Sequence, residues 1–214
     1  MLDKQSLTHL AYRSVIDAIE EVMGENGKKA VLRFAGLKKL IDDPIDYDPE
    51  VRVPYEYVAK LFWGVREILG NKGYNAVMYR GGLISVKNIV EHSEPLRALI
   101  VMDFDPVEKL KMGYQAYVRN SGYDPEEILK HFSESREVLI HRADCTECNE
   151  LVKKNEMIKG ITKPGCFFIK GIMQSIGDCF KEEISVSPEE LKCRLIGDEE
   201  CLFQIRYEVL KTKN

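Results

Sequence analysis

Apolar residues early in the chain recur at intervals of three and four. Leu7, Leu10, Ala11, Val15, Ala18, Ile19 and Val22 keep this spacing between Ser6 and Met23, which puts them on one helical face. Gly24 fits the stop after such a helix. The same spacing predicts a second helix over Lys28 to Ile41, with Val31, Leu32, Ala35 and Leu40 turned inward. The proline- and aspartate-rich stretch Asp42 to Pro54 reads as a loop. Pro54 suits the first turn of a third helix carrying Val58, Leu61, Phe62, Val65 and Ile68, with Gly70 after it. A fourth helix is expected over Asn75 to Glu91, weakened by Gly81 and Gly82. Leu96 to Met102 fits a buried strand or a turn of core helix equally well. Pro106 to Asn120 is again helical, with Leu110, Tyr114, Tyr117 and Val118 on one face.

The pattern changes near Gly122. Ile128 to Phe132 and Val138 to His141 alternate, as the arms of a hairpin do. Gly165 to Ile176 is an amphipathic helix, and three strands follow it: Cys179 to Val186, Leu191 to Ile196 and Cys201 to Leu210, with turns at Pro188 and Gly197. The expected class is α+β, with N-terminal helices packed on a C-terminal antiparallel sheet that carries an inserted helix. Residues 1–214 read as a single domain, in which 1–120 form the helical part and 121–214 the sheet.

Composition narrows the function. With 44% hydrophobic and 31% charged residues, the chain is an ordinary globular protein. It has no apolar run of about 18 residues, so no membrane span is expected. It opens with no basic-then-apolar leader, so a cytoplasmic location is expected. A net charge of −4 argues against nucleic acid as a partner. Scarce glutamine beside abundant Glu and Lys is a mild thermophile signal. His9, His92 and His131 each stand alone.

The six cysteines carry the chemistry. Cys145, Cys148, Cys166, Cys179, Cys193 and Cys201 all fall in the last third. In a reducing compartment such clustering points to a metal or a reactive thiol rather than to a disulfide scaffold. Cys166 lies at a helix start, and Cys193 and Cys201 lie on adjacent strands about a turn at Gly197. Strict alternation puts Glu190 on the opposite face from Cys193, so a bend or bulge near Pro188 is needed to bring them together. Three thiolates and a carboxylate form a closed tetrahedral set of the kind that holds structural zinc. Three unrelated buried cysteines are the alternative. Cys145 and Cys148, with His141 four residues earlier and Cys179 beyond, could form a second metal or redox site.

Pro164-Gly165-Cys166, Gly171, Gly177, Glu190, Cys193, Gly197, Cys201 and Phe203 together resemble the pattern of the 4-vinyl reductase-like, or hydrocarbon-binding, domain family. The resemblance covers 163–207 and is looser upstream. It implies an α+β fold related to vesicle-tethering subunits and to haem-based nitric-oxide sensors. It also implies zinc on Cys166, Glu190, Cys193 and Cys201, as in phenol-sensing members, and an apolar small-molecule pocket. Dimerisation through the N-terminal helices is implied too. Tyr114, Tyr117, Ile169 and Met173 are the candidate pocket residues. The Tyr-x-Ser-x-Arg motif of the haem-binding relatives is absent, so no haem is expected. No catalytic residue is assigned. The leading reading is a zinc-stabilised domain that binds or senses an apolar molecule. A tetrapyrrole vinyl-reductase-like enzyme and a dimeric assembly scaffold are the alternatives.

Overall fold

A computed structural model describes residues 6–48, 50–121, 123–132, 134–143, 148 and 165–210. Strand β1 (Ser6–Thr8) leads into helix α1 (His9–Phe34), where Thr8 Oγ1 accepts the Ala11 N–H at 3.1 Å and caps the first turn. A short helix α2 (Lys39–Asp42) and strand β2 (Arg52–Pro54) follow. Strands β1 and β2 pair antiparallel, with Thr8 opposite Arg52, and hold the entries to α1 and α3 together. Helix α3 (Tyr55–His92) is the longest element, followed by α4 (Glu94–Val101), α5 (Pro106–Asn120) and α6 (Pro125–Ile128). The C-terminal part holds β3 (Leu129–Phe132), β4 (Glu137–Arg142), α7 (Phe167–Asp178), β5 (Ile184–Lys192) and β6 (Cys201–Val209).

The expected α+β layout holds, with helices first, an antiparallel sheet last and one helix inserted in it. The sheet order is β3-β4-β6-β5, every neighbouring pair antiparallel. Helix α7 packs on α3 on one side and on β5 on the other. One continuous core therefore runs from Val15 and Leu61 of the helical half through Ile169 and Met173 to Ile140, Phe203 and Ile205 of the sheet. Burying that apolar surface is the main favourable term in folding.

Both long helices break where the sequence places a stop. Gly24 sits at φ 71° inside α1 and Gly70 at φ 65° inside α3, a region that a residue with a Cβ enters at a cost. What reads as separate helices is thus two kinked ones. The second predicted helix ends early, near Gly36 at φ 72°, and only Lys39–Asp42 resumes it. Leu96 to Met102 resolves as helix, since Glu94–Val101 starts with a proline in its first turn.

The helix crossing explains two glycines. A Cβ on Gly82 would lie 2.2 Å from the Phe168 carbonyl oxygen, and one on Gly171 would lie 2.2 Å from the Tyr79 carbonyl oxygen. The backbones of α3 and α7 touch there, so neither position admits a side chain.

The last three predicted strands are two. Residues 191–196 do not form a strand of their own. Glu190 still pairs with Phe203 in β5, a register shift follows between Glu190 and Lys192, and Arg194–Ile196 turn as a 3-10 helix. Asp198 Oδ2 accepts the Cys193 N–H at 2.7 Å, which ties the turn closed. The strand start at Cys179 also moves, to Ile184, because Cys179 caps α7.

Candidate functional site

Among the described residues, two places gather candidate functional side chains: an apolar chamber between the helices, and a thiol cluster at the end of the sheet.

The chamber has a volume of about 190 Å³. Its walls come from the start of α1 (Leu10, Ala11), the end of α3 (Val86, Ile89, Val90), α4 (Leu96, Leu99, Ile100), α5 (Ala116, Tyr117) and α7 (Phe168, Ile169, Ile172, Ile176). On one side of these walls, α3 and α7 cross at backbone contact. Among the described lining residues there is no Asp, Glu or Lys, but there are two arginines, Arg52 and Arg142. Arg52 Nη2 donates to the Asn120 carbonyl at 3.4 Å, and its Nε is buried with no hydrogen-bond partner among the described residues. Ser85 Oγ, which also lines the chamber, is buried and without a partner in the same sense. Arg142 is 3% exposed, donates to Tyr123 Oη at 3.3 Å and lies over the Tyr123 ring. Cys179 closes one corner. Its Sγ donates to the Ser175 carbonyl at 3.3 Å, and burial, helped by Asp178, pushes the thiol up and keeps it protonated.

Of the four pocket residues expected from sequence, Tyr117 and Ile169 line this chamber. Tyr114 and Met173 do not. They are fully buried in the core, where the Tyr114 hydroxyl donates to the Met173 carbonyl at 3.1 Å.

The thiols of Cys148, Cys193 and Cys201 lie within 4.8 Å of one another, and all three residues are buried. The Sγ atoms of Cys148 and Cys201 are 3.4 Å apart. Hydrogen bonds from the Cys148 and Cys201 thiols push the Cys193 thiol down to about 5, against the opposing effects of burial and the Glu190 charge. The Arg194 N–H points at Cys201 Sγ at 3.5 Å. Glu190, 6% exposed, lies inward on the β5 face of Ile184, and the register shift that follows it turns Cys193 to the same side. Glu190 Oε2 accepts the Cys166 backbone N–H at 2.5 Å. Cys166 thus meets Glu190 through its backbone, and its thiol is not part of the three-thiol group. Burial and the nearby Cys166, Cys148 and Cys193 thiols push the Tyr74 hydroxyl up.

The described residues of the second predicted site, His141, Cys148 and Cys179, do not come together. His141 Nδ1 pairs with Glu200 Oε2 at 3.1 Å, Cys148 joins the thiol cluster, Cys179 sits in the chamber wall, and Cys145 lies outside the described residues. Sequence reasoning missed Arg52, Arg142 and Ser85. For Arg142 a signal exists: Val138, Ile140 and Arg142 share the inward face of β4, so a charge falls on a core position.

No protein-family model matches the chain, and no curated protein matches it by sequence. Solved structures do. An H-NOX protein from S. oneidensis in the Fe(II)NO ligation state aligns with a TM-score of 0.61 at 11% identity, covering 94% of this chain and 99% of that one. An oxygen-binding H-NOX domain related to soluble guanylate cyclases aligns with a TM-score of 0.56 at 16% identity, covering 97% and 100%. A structure from a study of heme distortion in the H-NOX family gives 0.59 at 16% identity, covering 97% and 96%. The fold is that of H-NOX domains.

This corrects three expectations. The 4-vinyl reductase-like, hydrocarbon-binding assignment fails, since no family model supports it and the structural neighbours are H-NOX domains. Several positions that carried the resemblance have local packing reasons. Gly171 faces a backbone, Gly177 faces the Val186 side chain, and Gly197 adopts φ 101°. Structural zinc, which came with that family, loses its support with it. The exclusion of haem, drawn from one missing motif, also falls, because neighbours on the H-NOX fold are haem proteins.

Whether a haem fits can be tested on the lining. Iron in haem proteins takes a histidine, thiolate, methionine or tyrosinate ligand. No described histidine lines the chamber, and its donors are the protonated Cys179 and Tyr117. At about 190 Å³ it is also smaller than the roughly 300–1,000 Å³ of clefts for drug-sized molecules. The described residues do not fit a haem held through histidine, and no step is derived through one.

Proposed function

We propose that the chain is a small-molecule-binding domain whose ligand occupies the chamber between α1, α3, α4, α5 and α7. The observation that supports this most directly is the chamber itself: an apolar lining with a few polar groups converging at one end, the usual build of a ligand site. One H-NOX neighbour is in an Fe(II)NO ligation state and another is an oxygen complex, and binding of a small molecule is carried here by analogy of fold only. An open chamber also favours ligand binding over a pure assembly scaffold, which needs no internal space. Dimerisation through the helical half belongs to the proposal, with Val22 and Phe34 of α1, each about half exposed, on the outer surface.

The test is native mass spectrometry of the purified full chain, followed by titration with benzene-sized apolar ligands and, separately, with haemin. Binding that disappears in Ile169→Trp, which fills the chamber, supports the reading. A chain that takes up no apolar ligand and no haemin overturns it. A Soret band that survives Ile169→Trp places any haem elsewhere and also overturns it.

The thiol cluster supports a second proposal, a soft metal ion held by Cys148, Cys193 and Cys201, with Glu190 adjacent. A thiol already pushed down to about 5 gives up its proton readily to a metal, and thiolates select soft cations. Elemental analysis of the purified chain identifies the ion, and a chain that carries none after metal supplementation overturns it.

A further inference from the structure

Arg52 and Arg142 reach the chamber from different strands, β2 and β4, yet both end at one short segment. Arg52 bonds the Asn120 carbonyl, and Arg142 bonds the hydroxyl of Tyr123, three residues on. Asn120 and Ser121 also line the chamber. The two guanidiniums therefore stand at the same end of it, beside the last turn of α5. The α4 and α7 sides of the lining, with Leu96, Leu99 and Ile172, are apolar, as is Phe180 just beyond α7.

An arginine half-turned into an apolar space keeps a cost unless its donors are used. Arg52 has a buried Nε whose partner is not among the described residues, and Ser85 Oγ waits on the same lining. No described lining residue carries a negative charge. Arg142 has its own contact in Tyr123, so it adds field and shape rather than a vacant donor.

We infer that the chamber selects apolar molecules that carry a carboxylate, with the acid group on Arg52 at the α5 end and the apolar body against α4 and α7. This rests on the chamber reading above and narrows it to a ligand class. Guanidinium suits a carboxylate because its planar fork of N–H donors matches the two oxygens. The size points to a small acid. An engineered cavity of about 150 Å³ holds benzene, so about 190 Å³ holds a ring with a short acid chain.

The test uses 3-phenylpropanoate, its methyl ester and 3-phenyl-1-propanol, titrated calorimetrically into the full chain at pH 7. A charge-assisted hydrogen bond predicts that the acid binds about 10- to 100-fold more tightly than the ester and the alcohol. In Arg52→Gln the three affinities converge, because only the acid weakens, and Arg52→Lys restores part of the preference. A variant that merely loosens the fold lowers all three together, so the ratio of acid to ester separates the two effects. Arg142→Gln is the second variant and reduces the same ratio. Equal affinity of acid and ester in the unmodified chain overturns the carboxylate assignment and leaves the chamber reading standing, as does a ratio unchanged in both arginine variants. No binding by any of the three overturns the carboxylate assignment, and when benzene-sized apolar ligands and haemin also fail to bind, the chamber reading falls with it.

Discussion

Cys148 Sγ lies 3.4 Å from Cys201 Sγ, although 53 residues separate them in the chain. The motif around Cys201 points instead to Cys166, whose link to the site is a backbone N–H on Glu190. The two assignments give opposite results on mutation. Cys148→Ala is expected to abolish metal uptake, from about one ion per chain to none, while Cys166→Ala retains most of it. Elemental analysis after desalting reads the outcome, and retention in Cys148→Ala with loss in Cys166→Ala returns the site to the sequence-derived set.

That exchange shows what a linear pattern can hold. Helix faces, strand faces and both glycine stops are local in sequence, so periodicity and turn chemistry reveal them. Glu190 lies inward by plain alternation from Ile184, but bringing Cys193 to the same side depends on the register shift between Glu190 and Lys192, and a strand pattern alone only states that one is needed. The pairing of Cys148 with Cys201 is long-range and leaves no mark on either neighbourhood. Arg142 lies between these cases. It is directly opposite Cys201 across β4 and β6, and its inward face was readable from alternation. Its role was not, because the chamber it enters is built from five helices distant in sequence.

Gly82→Ala tests the helix crossing. The new methyl would meet the Phe168 carbonyl oxygen at 2.2 Å and the Ile172 nitrogen at 2.7 Å, both of them backbone atoms that cannot rotate away. Better helix propensity would offer up to about 1 kcal/mol, but forced separation of packed helices costs typically ~1–3 kcal/mol or more. Thermal and urea melts should show net destabilisation. Gly24→Ala makes the contrast, since a Cβ there meets nothing within 4 Å and only the φ of 71° resists it.

Stability is expected to fall on the alkaline side. Burial pushes the hydroxyls of Tyr12, Tyr74 and Tyr114 above the ordinary tyrosine value of 10.0, and pushes the Cys179 thiol up as well. Each of these groups holds its proton more tightly folded than unfolded. Their contribution is complete below the unfolded values and is lost as pH rises from there through the raised folded ones, because the native protein keeps protons that the unfolded chain releases. Urea midpoints should decline from about pH 9 for the thiol and more steeply above 10 for the tyrosines. Tyr114→Phe should flatten the steeper part, and an unchanged slope in that variant removes Tyr114 as a cause.

Lys109 is buried, its side chain only 4% exposed, and its Nζ lies 2.9 Å from both carboxylate oxygens of Glu183. Glu183 is about a third exposed, so water screens the pair and its Coulomb energy counts for little. What Lys109 supplies beyond charge is a long apolar stem through the packing between α5 and the start of β5. Lys109→Met keeps that stem and frees Glu183 to hydrate, so it is expected to change stability by less than about 1 kcal/mol. Lys109→Ala removes the stem and leaves a cavity, with an expected loss of about 2–3 kcal/mol. Equilibrium urea unfolding of the two variants separates these terms. Equal losses would show that the charge pair, rather than the packed stem, is what position 109 contributes.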